Sequence, residues 1–299
     1  MKEDSCMNNK LIFEGSCVAI ITPFTNKGVD YEAFKKLIEF QIENGTDAIL
    51  VCGTTGESST MPDKEHKEVM KFVVEYVNKR VPVIANTGSN DTNHAIELSK
   101  YAQLIGADAL LSVSPYYNKT SQRGLIKHFT TIANSVTLPI ILYNVPSRTG
   151  INIDADTILN LSKVNNIVGV KECNLDQVAE VIKNKDDNFT IYSGEDGSLL
   201  SFLALGARGV ISVLSNVVPK ETHAICKLFL DGKIKESQKA FYNLYDLSKA
   251  LFIETNPIPC KTAVNLIGLP GGKLRLPLVD MDNDNKEKLI QVLKALELM

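Results

Sequence analysis

The stretch "IVGVKE" (Ile167–Glu172) runs through four apolar residues without a break before it reaches a lysine and a glutamate. An unbroken apolar run, rather than alternating apolar and polar residues, is typical of a strand buried on both faces of a parallel sheet. Seven similar stretches occur, and the starts of all eight lie about 20 to 33 residues apart. They are "CVAIITP" (17–23), "AILVCG" (48–53), "VPVIANTG" (81–88), "ALLSVSP" (109–115), "PIILYNVP" (139–146), "FTIYSG" (189–194) and "GVISVL" (209–214).

Helical patterns separate most of these strands. "YEAFKKLIEFQIENG" (31–45) and "NHAIELSKYAQLIG" (93–106) carry apolar residues at helical spacing and end in glycine. A strand followed by a helix eight times predicts an α/β fold of the (β/α)8 TIM-barrel type. A doubly wound sheet is the competing architecture, but it favours fewer strands and a glycine-rich nucleotide-binding turn after the first strand, where this chain has "TPFT" (22–25).

Three segments are predicted along the chain. Residues 1–10 are expected to form a flexible N-terminal leader, and residues 11–219 the barrel, which the following helix closes. Residues 220–299 are expected to form a C-terminal helical extension, because patterns such as "ESQKAFYNLYDLSKALFIE" continue there.

Composition narrows the classes of function. The net charge of -3 comes without long basic or acidic blocks, so neither nucleic acid nor a membrane is expected as a partner. The six cysteines are scattered without a CxxC pair, and no apolar run reaches about 20 residues. The sequence therefore predicts a cytoplasmic protein without a disulfide framework, a metal site or a membrane span.

Polar residues cluster where the predicted strands end, and in a TIM barrel the chemistry lies at the carboxyl ends of the strands. They are Thr54, Thr55 and Glu57 after strand two, Tyr116 and Tyr117 after strand four, Tyr143, Asn144 and Arg148 after strand five, and Lys171 and Glu172 at strand six.

Lys171 is the sharpest candidate because it directly follows the apolar run. Desolvation lowers the pKa of a lysine and yields the free amine that attacks a carbonyl to form a Schiff base. This predicts a mechanism like that of class I aldolases. The structural alternative is a salt bridge at the barrel rim, with Glu172 or another carboxylate.

The other candidates also have structural alternatives. Tyr143 could be a core aromatic with a satisfied hydroxyl, and Thr55 could end a strand or cap a helix. Arg148 could be a solvated surface arginine, and Glu57 a first-turn carboxylate favoured by the helix dipole.

Six motifs stand in order at these strand ends: "GTTGES", "SPYYNK", "YNVPSRTG", "GVKEC", "SGED" and "NPIPCK". Together they resemble the dihydrodipicolinate synthase and N-acetylneuraminate lyase family of pyruvate-dependent aldolases, from about Phe13 to the end of the chain. The "GTTGE" form and the arginine of "YNVPSRTG" are similar to the members that condense pyruvate with L-aspartate-4-semialdehyde in lysine and diaminopimelate biosynthesis.

The resemblance implies catalytic roles for four residues. Lys171 would form the Schiff base with pyruvate, and Tyr143 would carry protons to and from it. Thr55 would link Tyr143 to Tyr117, which in the family comes from the neighbouring subunit. Hydroxyl groups suit such a relay because each accepts one proton while donating another.

The resemblance also implies substrate contacts and an assembly. Thr54 and Thr55 would hold the pyruvate carboxylate, the backbone at Ile211 would face its oxygen, and Gly194 would also bind the substrate. Arg148 would grip the carboxylate of the aldehyde, because a guanidinium matches a carboxylate with two hydrogen bonds. No cofactor is implied, and the expected assembly is a homotetramer built from two tight dimers.

A regulatory cleft at the tight-dimer interface is implied as well. Its residues here would be Ser58, Ser59, Asp63, His66, Asn90, His94 and Tyr116. In the lysine-sensitive bacterial pattern, histidine usually replaces Asp63, and a glutamate that binds the lysine ammonium replaces His94. We therefore expect weak or absent feedback inhibition by lysine. The structural alternative is that His66 and His94 are ordinary surface residues.

Two other functions remain open from the sequence. A family aldolase for sialic or sugar acids would keep Lys171 and Tyr143 but would not need Arg148. A barrel that only binds its ligand is also possible, because fold does not fix function, and it would form no imine.

Overall fold

The computed structural model describes residues 11–299, so the predicted leader lies outside the described residues. Eight parallel strands close into a barrel in the order β1-β4-β5-β6-β7-β8-β9-β10, which confirms the TIM-barrel prediction, while β2 and β3 form a separate antiparallel ribbon. The strands of this part of the chain are β1 (Gly15–Ala19), β2 (Phe24–Thr25), β3 (Gly28–Val29), β4 (Ala48–Val51), β5 (Val83–Asn86), β6 (Ala109–Val113), β7 (Ile140–Asn144), β8 (Ile167–Glu172), β9 (Thr190–Ser193) and β10 (Gly209–Ser212).

Helices follow the barrel strands and form the outer layer. Within residues 11–299 they are α1 (Tyr31–Glu43), α2 (Asp63–Val77), α3 (Thr92–Leu104), α4 (Gln122–Ala133), α5 (Pro146–Thr149), α6 (Ala155–Leu161), α7 (Val178–Asn184), α8 (Leu199–Leu205), α9 (Pro219–Leu230), α10 (Ile234–Ala250), α11 (Ile258–Leu266) and α12 (Asn283–Ala295). Helix α9 contacts β1, and α10 contacts both α9 and α12. Among these helices, none is long and apolar enough to cross a membrane. The division of the chain at residue 219 stays a prediction.

Side-chain caps fix where several helices begin. The carboxylate of Asp30 accepts a hydrogen bond from the backbone N–H of Ala33 at 3.0 Å, at the start of α1. Ser121 accepts one from Gly124 at 3.2 Å, at the start of α4. Each cap satisfies a backbone donor that has no partner inside the helix, so the chain turns from strand to helix at a defined residue.

Strand side chains alternate between the barrel interior and the helix layer. In β1, Cys17 and Ala19 belong to the interior cluster, while Val18 belongs to the larger core between strands and helices. Phe13 stacks on Tyr192 with ring centroids 4.2 Å apart, and the Tyr192 hydroxyl donates to the Phe13 carbonyl at 2.9 Å. Since Phe13 precedes β1 and its carbonyl accepts the Tyr192 hydroxyl, this pair occupies the barrel interior on the amino side.

The predicted stretch 167–172 coincides with β8, whereas β1 begins two residues before the stretch 17–23 and the other stretches are longer than the strands they contain. The stretch 81–88 yields β5 over only Val83–Asn86, because its flanking residues belong to the connecting loops. The β2–β3 ribbon was not predicted, because strands of two residues have no periodicity to detect.

Candidate active site

A cavity of about 330 Å³ opens at the carboxyl ends of the barrel strands. Polar residues from loops that are far apart in sequence converge on it. Six residues singled out in the sequence line this cavity: Thr54, Thr55, Tyr143, Arg148, Lys171 and Gly194. The cavity therefore lies where TIM barrels carry their chemistry.

Lys171 and Tyr143 face each other inside this cavity. They are register partners on the neighbouring strands β8 and β7, and the Lys171 Nζ lies 4.3 Å from the centroid of the Tyr143 ring. Both side chains are buried. Within residues 11–299 no carboxylate oxygen lies within 4.0 Å of the Lys171 ammonium, so the rim salt bridge is wrong. Glu172 instead accepts hydrogen bonds from Asn144 and Gln177, each at 2.8 Å.

The charge state of Lys171 depends on its neighbours. Burial is the largest effect and lowers its pKa, but the anionic forms of Tyr143, Cys173 and Cys17 raise it, so the net direction is upward and opposite to the sequence prediction. Burial also raises the pKa of the Tyr143 phenol and of both thiols. These three groups are therefore neutral at pH 7, but the buried carboxyl of Asp196 also raises the pKa of Lys171, so the ammonium form is favoured and only the deprotonated fraction can act as the nucleophile.

The hydroxyls of Tyr143 and Thr55 differ in their partners. The Tyr143 hydroxyl makes no hydrogen bond to another described residue, although its ring is buried. Among residues 11–299, Tyr143 therefore has no hydrogen-bond partner for its hydroxyl, and the alternative of a core aromatic with a satisfied hydroxyl is wrong. Thr55 is also buried, and its Oγ1 accepts a hydrogen bond from Asn256 Nδ2 at 2.9 Å. It caps neither the 3-10 turn Ser58–Thr60 nor α2.

Gly194 leaves room for the Lys171 side chain. A Cβ at this position would collide with Cys173 Sγ and would lie 3.2 Å from Lys171 Cε. Only glycine therefore permits the present packing of β8 against the loop after β9.

Arg148 stands at the exposed mouth of the cavity on α5. Its Nη2 donates to the backbone carbonyl of Asn256 at 3.2 Å, and the guanidinium makes no other hydrogen bond to a described residue. Asn256 thus contacts both Arg148 and Thr55, a role that sequence reasoning missed although "NPIPCK" contains it.

Glu57 does not lie in the first turn of a helix at the surface, so that interpretation is wrong. It precedes the 3-10 turn with φ of 56°, and its side chain is fully buried. Its Oε1 lies 2.5 Å from Lys261 Nζ, and its Oε2 accepts a hydrogen bond from the Arg275 backbone at 3.0 Å. Both partners of Glu57 lie more than 200 residues away along the chain, so no local pattern in the sequence indicated this buried ion pair.

Two predicted residues do not line the cavity of their own chain. Tyr117 is 92% exposed on a loop where its φ is 68°. Ile211 lies on β10 in the barrel interior, and Val213 forms the nearby cavity wall.

A second cavity of about 410 Å³ adjoins the first. Thr54, Tyr143, Val145 and Arg148 line both. Of the residues predicted for the regulatory cleft, the second cavity is lined by Ser58, Ser59, Asp63, His66, His94 and Tyr116. Asn90 does not line it, but its Nδ2 donates to the Tyr116 carbonyl at 3.3 Å.

The two histidines of this second cavity differ. Burial lowers the pKa of His66 to about 4, so it is neutral at pH 7 and is not a surface residue. His94 is partly exposed, and its Nε2 lies 3.1 Å from Asp63 Oδ1. Within residues 11–299, no group of three or more His, Cys, Asp or Glu side chains could hold a metal ion.

Comparisons with known proteins agree along nearly the whole chain. The model of the dihydrodipicolinate synthetase family matches residues 12–296. A 4-hydroxy-tetrahydrodipicolinate synthase of Acetivibrio thermocellus is 59% identical over 95% of this chain and 98% of that protein. One of Clostridium perfringens is 54% identical over 95% of this chain and 98% of that protein. The crystal structure of dihydrodipicolinate synthase from Aquifex aeolicus has a TM-score of 0.94 and 49% identity, and the match covers 96% of this chain and 99% of that chain.

Proposed function

Because the chain belongs to the dihydrodipicolinate synthetase family, we propose that it condenses pyruvate with L-aspartate-4-semialdehyde to 4-hydroxy-tetrahydrodipicolinate. It is a lyase of lysine and diaminopimelate biosynthesis. The observation that carries this assignment is the buried Lys171 amine, which faces Tyr143 in the cavity without a carboxylate partner among the described residues.

The first step joins pyruvate to Lys171. The neutral amine attacks the ketone carbon, and water leaves as the imine forms. Thr54 and Thr55 hold the pyruvate carboxylate, and the backbone of Ile211 faces its oxygen. The Tyr143 hydroxyl is free to transfer protons because no described residue forms a hydrogen bond with it.

The second step forms the carbon–carbon bond. The imine loses a methyl proton and becomes an enamine, whose carbon attacks the aldehyde while Arg148 holds the carboxylate of that substrate. The amine of the acceptor then closes the ring and displaces Lys171. The protonated imine is itself the electron sink, so this route requires no metal or organic cofactor.

The assembly is part of the proposal. Tyr117 joins the relay from the neighbouring subunit, which fits its exposure and its absence from its own cavity. The active unit is then at least a dimer, and we propose a cytoplasmic homotetramer of two tight dimers.

The second cavity is a degenerate regulatory cleft that binds lysine weakly. The carboxylate of Asp63 is already hydrogen-bonded to His94. His94 also stands where a glutamate would accept a charge-assisted hydrogen bond from the lysine ammonium, and the loss of such an acceptor costs roughly 1.5 to 3 kcal/mol of binding free energy. Half-inhibition by lysine below about 1 mM in a steady-state titration contradicts this view. His94→Glu is expected to increase the sensitivity.

Borohydride reduction with pyruvate tests the function. A single reduced-pyruvate adduct on the Lys171 peptide, absent in Lys171→Ala, supports the imine. No adduct on the folded protein contradicts it and favours a barrel that only binds. If the adduct forms, the acceptor is tested next. A preference for sugar aldehydes over L-aspartate-4-semialdehyde that does not change in the Arg148→Ala variant would favour a sugar-acid aldolase.

A further inference from the structure

Asn256 lines the catalytic cavity, but the mechanism above gives its side chain no role. We propose that Asn256 is a positioning residue whose amide makes the Thr55 hydroxyl a hydrogen-bond donor toward the pyruvate carboxylate. This inference rests on the proposed function, because that function places the pyruvate carboxylate at Thr55.

The hydrogen bond between these two side chains has a defined direction. Asn256 Nδ2 donates to Thr55 Oγ1 at 2.9 Å, and both residues are buried. An amide nitrogen can only donate, so it occupies a lone pair of the hydroxyl oxygen and leaves the hydroxyl hydrogen unused. Among residues 11–299, no group accepts that hydrogen. It is therefore left for a ligand in the cavity that Thr55 lines.

A carboxylate is the ligand that this hydrogen favours. The oxygens of an ionised carboxylate only accept hydrogen bonds, so they need a donor in the wall of the site. A hydroxyl without a fixed partner can rotate between donating and accepting. Because Asn256 occupies the oxygen of Thr55, the hydroxyl is already oriented as a donor before pyruvate binds, and less ordering is needed on binding.

The amide of Asn256 makes no other side-chain hydrogen bond in the described part of the chain. Its Oδ1 is buried without a partner, and a buried acceptor in that state costs folding free energy. An apolar side chain of the same volume would avoid this cost. Such exceptions to polar pairing are expected at functional sites, and here the group that the site needs is Nδ2.

Other contacts fix the backbone around Thr55, so the loop does not depend on Asn256 for its position. Thr22 Oγ1 donates to the Gly56 carbonyl at 2.8 Å, and Glu57 forms the buried ion pair described above. Replacing the Asn256 side chain should therefore change the direction of the Thr55 hydroxyl while the loop stays in place.

The contact with Arg148 provides an internal control. The guanidinium donates to the backbone carbonyl of Asn256 at 3.2 Å, so this hydrogen bond remains when the side chain is replaced. A side-chain substitution at Asn256 should thus weaken the binding of pyruvate without weakening that of the aldehyde.

A relay role for the same hydrogen must be separated from this one. If the Thr55 hydrogen served only proton transfer with Tyr143, loss of the Asn256 amide would lower the maximal rate and leave the half-saturating pyruvate concentration unchanged. Orientation toward the carboxylate predicts the reverse: the half-saturating concentration rises and the maximal rate is kept.

The test compares the wild type with Asn256→Leu, which keeps the volume and removes both polar atoms. The rate of borohydride trapping is measured as the pyruvate concentration is varied. We expect the pyruvate concentration for half-maximal trapping to rise about five-fold or more. The maximal trapping rate and the KM for L-aspartate-4-semialdehyde should each change less than about two-fold. Asn256→Ala, which places no larger apolar group in the site, should show the same shift.

Two further variants complete the design. Asn265→Leu is the matched control: it is the same substitution on α11, and it removes a hydrogen bond from Nδ2 to the Gly272 carbonyl of 3.0 Å, but Asn265 does not line the cavity. Its half-saturating pyruvate concentration should equal that of the wild type. The double variant Thr55→Val, Asn256→Leu should bind pyruvate no more weakly than Thr55→Val, because the amide acts only through the hydroxyl.

Four results would overturn the inference. An unchanged or lower half-saturating pyruvate concentration in Asn256→Leu would do so, and the lower value is expected if the amide takes up the Thr55 hydrogen instead. So would a loss confined to the maximal rate, an equal shift in Asn265→Leu, or additive losses in the double variant. A wild-type protein that forms no adduct with pyruvate overturns the proposed function itself, and the inference with it. A wild-type adduct together with an unchanged half-saturating concentration in Asn256→Leu overturns only the role of Asn256.

Discussion

Replacing Lys261 by methionine should destabilise the protein strongly, because it isolates the buried carboxylate of Glu57. The two side chains are 1% and 0% exposed, with Nζ and Oε1 2.5 Å apart. After the substitution, Glu57 keeps one protein donor, the Arg275 backbone N–H at 3.0 Å. Removing one partner of a buried ion pair costs roughly 3 to 5 kcal/mol, which is a loss in Tm on the order of 10 °C for a chain of this size.

Thermal and urea unfolding at one fixed protein concentration measure this loss, since assembly would make stability depend on concentration. The double variant Glu57→Gln, Lys261→Met should be more stable than Lys261→Met alone, because no isolated charge remains. Lys64→Met is the control: Lys64 is 89% exposed and lies 3.9 Å from Glu68, so less than about 1 kcal/mol is expected. A Lys261→Met variant that melts within about 2 °C of the wild type, or a double variant no better than the single one, would refute the reasoning.

Three further predictions concern the site, the assembly and pH. Gly194→Ala should slow pyruvate adduct formation about ten-fold or more, because its Cβ meets Cys173 Sγ, and adding Cys173→Ala should recover part of the rate. Mixing inactive Tyr117→Phe with inactive Lys171→Ala should restore activity if Tyr117 acts in the neighbouring subunit; no recovery in confirmed mixed dimers contradicts that role. Asp47 hydrogen-bonds His223 at 2.7 Å and raises its pKa above the ordinary 6.5. The stabilisation by protonated His223 is then complete below pH 6.5 and is lost as the pH rises through the pKa of His223 in the folded protein. The difference in urea midpoint between the wild type and His223→Gln should therefore become smaller at alkaline pH.

The barrel could be predicted because its signal is local. Each buried strand, such as Ile167–Glu172, is an unbroken apolar run, and the spacing leaves room for one helix between strands. Lys171 and Tyr143 were found for the same reason, since each stands at the end of such a run. The strand order makes β7 and β8 neighbours, but the pairing of Tyr143 with Lys171 also depends on their register, which shifts between Ile140 and Ile141 and has no signal in the sequence.

What the sequence did not reveal depends on contacts between distant parts of the chain. Lys261 reaches Glu57 from a separation of 204 residues, and Asn256 reaches Thr55 from 201. The pKa of Lys171 was predicted in the wrong net direction, because it depends on the ionisable groups that the fold brings around it, such as Tyr143 and Cys173. Burial of one residue can be inferred from its own neighbours in sequence, whereas its electrostatic environment cannot.

The position of the stacked pair of Phe13 and Tyr192 bears on the order in which substrates are expected to bind. These rings occupy the barrel interior on the amino side, while the cavity that contains Lys171 lies at the carboxyl end, where Arg148 also lines it. Lys171 lies deeper than Arg148, since it is buried and Arg148 is exposed. If Arg148 holds the aldehyde as proposed, a bound aldehyde would lie between solvent and the Lys171 amine. We then expect pyruvate to add before the aldehyde, and excess aldehyde to inhibit competitively against pyruvate.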